Sequence, residues 1–172
     1  MRQIMFAMST MALGLSLQGR AQQPPDLSGV WRMDPSRSES AHQAVPIGPV
    51  TMIIKQTADA LSIETRRSEK QKPAVSSETL TFRLGSENSI VGNAGVQIKV
   101  KAHFDGTKLI TETAREIQGS AVTTMQVFSL EPGGKELTVH QTVTVQHGYQ
   151  FPGAANTGTG RDVFSKIRRI KK

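Results

Sequence analysis

Four histidines and no cysteine among 172 residues leave imidazole and carboxylate as the groups able to hold a metal or move a proton. Their spacing does not gather them. His42 falls in a proline-bracketed connection, His103 takes an outward strand position, and His140 and His147 stand an odd number of residues apart on one strand, which sends them to opposite faces. No His-x-His, HExxH or acidic calcium loop occurs, so no metal site is expected. Gly158-Thr159-Gly160 lacks the preceding βαβ strand and following helix of a dinucleotide fingerprint, and Gly133-Gly134-Lys135 lacks the remaining residues of a phosphate loop; both read as turns. There is no Gly-x-Ser-x-Gly elbow, and the carboxylates are scattered singly, with no pair to divide acid and base roles. Neither a catalytic residue nor a cofactor is expected.

The polar groups that stand out are those sent inward. Short alternating segments separated by Gly, Asp and Pro run through the chain with no sustained helical period, which predicts an all-β fold. Strands are expected at 27–33, 50–56, 61–67, 79–84, 96–104, 107–116, 121–130, 136–146 and 162–170, with a short one at 89–92. Asp105-Gly106 between alternating apolar residues predicts a two-residue type I′ turn. That turn would set Phe104 against Thr107, Ala102 against Leu109, Val100 against Thr111 and Ile98 against Thr113, with Lys99 facing Glu112 outside. In this phase Phe82, Ile98, Val100 and Phe104 share the interior with Thr111 and Thr113, joined by Gln126 or Gln141. A filled apolar core seldom takes several polar groups without partners. A mixed-polarity ligand cavity is one explanation; a partly hydrated inner face, or a slip of the strand phase at a bulge, is the other.

Hairpin-spaced strands running to the C-terminus favour one antiparallel up-and-down meander closed as a barrel, because an open meander would leave two long edges. A two-sheet β-sandwich is the alternative. Closure requires the last strand to meet the strand that carries Trp31. The composition suits one such domain: 37% hydrophobic, 5% aromatic and 20% charged.

Residues 1–21 read as a signal peptide and 22–172 as the domain. Arg2 precedes the apolar stretch 4–17, and Gly19-Arg20-Ala21 places small residues at −3 and −1 of a cleavage site, so export to a bacterial periplasm or the outside is expected. The formal net charge of +7 is concentrated at the C-terminus, where Lys166, Arg168, Arg169, Lys171 and Lys172 gather. Lacking aromatic stacking partners there, the tail does not suggest nucleic acid. It suits a weak contact with anionic envelope lipid or polysaccharide.

The string Gly29-Val30-Trp31-Arg32-Met33-Asp34-Pro35, continued to Ser38, resembles the opening of lipocalin-like (calycin-type) proteins. It is similar in particular to a family of secreted bacterial members of uncertain function. Phe128-Ser129-Leu130, Gly134-Lys135, Leu137-Thr138-Val139 and Val163-Phe164-Ser165-Lys166 follow in matching order. The resemblance implies a barrel open at one end, Gly29 and Trp31 as structural residues with Trp31 plugging the closed end, and Arg168 or Arg169 stacking on the indole. Lipocalins place a helix before the final strand, whereas the glycine-rich stretch 148–160 is unsuited to one.

These readings converge on a monomeric small-molecule binding barrel for an apolar or amphipathic ligand. Its expected ligand-facing residues are Phe82, Ile98, Val100, Phe104, Thr111, Thr113, Gln126 and Tyr149, the last on a lid loop with Phe151. The competing reading is an envelope interaction protein with a plugged barrel and a basic tail; a periplasmic enzyme ranks third.

Overall fold

A computed structural model describes residues 23–43, 49–68, 75–147 and 155–167. Ten antiparallel strands form one sheet: β1 (Gly29–Met33), β2 (Val50–Gln56), β3 (Ala60–Ser68), β4 (Val75–Arg83), β5 (Glu87–Val91), β6 (Gln97–Asp105), β7 (Lys108–Ile117), β8 (Ser120–Leu130), β9 (Glu136–His147) and β10 (Ala155–Ile167). Each pairs with its neighbour in sequence except β4 and β5, and β1 also pairs with β10, Trp31 opposite Lys166, giving the order β4-β3-β2-β1-β10-β9-β8-β7-β6-β5. The up-and-down barrel expected from alternation is therefore the fold, and the sandwich is not.

Alternation decides which side chains fill it. Along β6, Ile98, Val100 and Ala102 are buried while Gln97, Lys99, Lys101 and His103 face solvent. Like positions of β1, β2, β3, β7, β8 and β9 supply Trp31, Met52, Ile54, Leu61, Ile63, Leu109, Phe128 and Leu137 to the same core. Trp31 is fully buried, its indole N–H donating to the Leu27 carbonyl at 2.9 Å.

The Asp105 hairpin corrects the expected register. Asp105 pairs with Lys108, Phe104 with Leu109, Ala102 with Thr111 and Val100 with Thr113, so the two turn residues are Gly106 and Thr107. Only Gly106 has positive φ (57°), the pattern of a type II′ turn, and Lys101 rather than Lys99 faces Glu112. The slip is two residues on the partner strand, so every side chain keeps its predicted face. Both positive φ values of a type I′ turn occur instead at Gln118 and Gly119, between β7 and β8.

A second correction lies in the last strand. The stretch read as turn glycines is strand: β10 starts at Ala155, and Gly158 and Gly160 pair with Val143 and Gln141. β10 thus extends well beyond five-residue β1. Its uncovered side is met by two short 3-10 turns, Pro35–Arg37 and Glu39–His42. The Ser38 hydroxyl accepts from Val163 N (3.0 Å), the Glu39 carboxylate from Arg161 N (3.1 Å), and Arg37 reaches across to Glu136 with two bonds of 2.6 and 2.8 Å.

The ring's remaining seam lies between β4 and β5, which share no ladder. Asparagine side chains stitch it. Asn88 accepts from Arg83 N (3.0 Å) and donates to the Thr81 carbonyl (3.1 Å), while Asn93 donates to the Ser77 carbonyl (2.8 Å). Gly85 N adds a bond to the Ala102 carbonyl (2.8 Å). An amide side chain offers the same donor and acceptor as a peptide group, which suits it to satisfying a sheet edge.

Candidate ligand cavity

The interior is divided along its length. At the Trp31 end it is filled: Trp31, Phe82, Phe128, Leu61 and Leu109 are each at most 1% exposed. Lys166 lies over this plug, its Nζ 5.0 Å from the indole centroid. Its aliphatic chain explains Gly29: a Cβ there would meet Lys166 Cε at 2.6 Å, and φ is +153°. Lys166 thus occupies the stacking position for which Arg168 and Arg169 were considered. Both arginines lie outside the described residues, as do Tyr149 and Phe151.

Toward the other end, cross-strand rows turn polar. Thr111, Gln126, Gln141 and Gly160 stand side by side on β7, β8, β9 and β10, followed one step further by Thr113, Thr124, Val143 and Gly158. The Gln126 amide donates to Gln141 Oε1 at 3.0 Å. Two cavities meet over this pair. One, of about 300 Å³, runs between β10 and β2 and is walled by Val50, Met52, Val139, Val143 and Phe164, with Ser40 and Asp162 at its edge. The other, of about 310 Å³, lies toward β4 and β7, among Glu78, Arg115, Thr113, Thr124 and Ser76. Thr65, Arg67, Gln126 and Gln141 line both.

The charges are unevenly paired. Arg115 on β7 binds Glu78 on β4 through two bonds of 2.7 and 3.3 Å, and Asp162 accepts from the Ser40 hydroxyl (2.8 Å) and backbone N (3.1 Å). Among the described residues no carboxylate pairs with Arg67. Outside both cavity linings, Arg37 donates to Glu136 and holds its carboxyl below the usual range, and the Ser36 hydroxyl does the same for Asp34.

The sequence-derived residues divide between the two halves. Phe82, Ile98, Val100 and Thr111 are at most 1% exposed. Phe104 packs against the same core, whereas Thr113 and Gln126 border the cavities. Arg67, Glu78 and Arg115 were not singled out, although parity carries the signal: Arg115 lies two residues beyond Thr113, and Arg67 two beyond Thr65. Charged residues near strand ends ordinarily read as solvent-facing, as Arg67 is, and this hid the half-buried Glu78 and Arg115. His103 and His140 are exposed. Among the described residues no three His, Asp or Glu converge for a metal.

No family model and no curated protein sequence matches the chain. Solved structures do. The architecture is lipocalin-like. Lipid binding protein 8 of Caenorhabditis elegans, in its apo form, is similar at a TM-score of 0.53 and 16% identity, covering 81% of this chain and 94% of that one. Secretory abundant heat soluble protein 4 from Ramazzottius varieornatus gives 0.53 and 20% over 86% and 99%. A structure titled REP1-NXSQ fatty acid transporter gives 0.51 and 18% over 83% and 96%.

Proposed function

We propose that the chain is an exported barrel that binds a small apolar or amphipathic molecule. The carrying observation is the division of the interior into a plugged base and an adjoining hollow of mixed polarity, where Val50, Met52, Val139, Val143 and Phe164 offer apolar surface and Thr65, Gln126 and Gln141 converge as polar groups able to orient a small molecule. The names of two structural neighbours, a lipid binding protein and a fatty acid transporter, support the reading. They equally favour binding over catalysis. Export is read from residues 1–21, and the basic C-terminal residues are assigned a weak contact with anionic envelope lipid or polysaccharide.

Native mass spectrometry of protein purified from its own cells tests this reading. A retained adduct of small-molecule mass is expected. A bare chain, recovered reproducibly with a protein partner, would replace ligand binding by the envelope interaction reading.

A further inference from the structure

Resting on that reading, we propose the class and orientation of the ligand: a compact amphiphile with an oxyanion head, a carboxylate, sulfate or phosphate ester. Its apolar body lies on the Gly158–Gly160 wall of the first cavity, and its head reaches Arg67 and Thr113 in the second.

Three observations carry the assignment. The first is the wall. Gly158 and Gly160 occupy inward positions of a regular strand, where glycine weakens the sheet and where a ligand's close approach is one recognised reason for it. Gly158 is exposed and Gly160 half-buried, and among the described residues no packed neighbour requires a glycine at either position. A Cβ at Gly158 would meet nothing within 4 Å, and one at Gly160 only the Glu39 carboxylate at 3.9 Å. The missing side chains leave a shallow trough in a cavity whose apolar wall is made by Val50, Met52, Val139, Val143 and Phe164 and whose remaining lining is polar.

The second observation is polar. Thr113 is only 6% exposed, yet it borders the second cavity, and no hydrogen bond among the described residues engages its hydroxyl. Arg67 is an exposed residue that borders both cavities and has no carboxylate partner among the described residues, whereas Arg115 is matched by Glu78. Among its described lining residues the second cavity therefore carries one surplus positive charge, and Asp162 lines only the first. An amphiphilic anion gains by placing its head at Arg67 and away from Asp162.

The third observation is size. Cavities of about 300 and 310 Å³ are at the small end for ligand sites, and the Trp31, Phe82 and Phe128 plug closes the barrel beneath them. With the head in the second cavity the apolar body has only the first, which suits a ring-bearing molecule better than an extended long acyl chain.

Calorimetric titration of the whole chain with 2-naphthoate, methyl 2-naphthoate and palmitate tests the assignment. The acid should bind at least tenfold more tightly than its neutral ester and than palmitate. Arg67→Gln should erase the preference for the acid over the ester. Gly160→Val should abolish binding of both naphthalene probes without lowering the thermal midpoint, which separates a filled cavity from a damaged fold; Gly160→Ala should give an intermediate loss. Equal affinity for acid and ester, or naphthoate binding untouched by Gly160→Val, would overturn the assignment while leaving a ligand-binding barrel. Binding of palmitate alone would also overturn it and leave the broader reading standing. Failure of all three probes with folded protein would overturn the assignment, and the broader reading falls with it only if the native protein also carries no small-molecule adduct.

Discussion

Trp31 concentrates more of the fold's dependence than any other side chain: it is fully buried, its one polar atom is bonded to Leu27, and Lys166 covers its ring. Trp31→Ala should cost about 3–5 kcal/mol, measured by denaturant unfolding, because the surrounding strands relax only partly into the void. As the only tryptophan it also reports on its own site, and native emission should be that of a shielded indole. A different dependence attaches to Glu136. Its carboxyl titrates below its usual value because Arg37 donates to the ionised form. The pair's contribution to stability is therefore complete above the unfolded-state carboxylate pKa and disappears as pH falls through the lower folded value. The difference in melting temperature between the native chain and Glu136→Gln should be present at neutral pH, vanish in acid, and shrink in high salt.

Strands and turns show where sequence reasoning succeeds and where it stops. Alternation identified the inward set of β6 and β7, because a buried face imposes a period of two that polar substitutions rarely imitate. It did not fix the Asp105 hairpin, since a two-residue slip preserves both faces and only turn geometry distinguishes the registers. Gly158 and Gly160 read as turn residues because local propensity says nothing about a cavity that makes small side chains useful. Asn88 and Asn93 were equally silent, as their role arises only because β4 and the neighbouring β5 share no ladder, which alternation does not reveal. That role is measurable. Asn88→Ala removes two hydrogen bonds to the β4 edge and should cost about 1–3 kcal/mol. Faster amide hydrogen exchange should be confined to β4 and β5 and leave β8 unaffected.

For the molecule as a whole, the export reading predicts that protein recovered from an exporting host begins at Gln22, which intact mass decides; a species still carrying residues 1–21 would overturn it. The ring itself has an order of assembly. β1 and β10 come from opposite ends of the described chain, yet each supplies the other's second edge, Val30 against Ile167 and Met33 against Phe164. A polypeptide made from its N-terminus presents β1 early, paired with β2 alone, and finds its last partner only when the final strand is complete. Such distant pairing is slow to form, because its loop-closure cost falls before its contacts are gained. A nascent or translocating chain of this sequence therefore stays an open ribbon with two templating edges until its last strand emerges. A chain ending at Gln146 should accordingly be bound by chaperones or aggregate rather than fold.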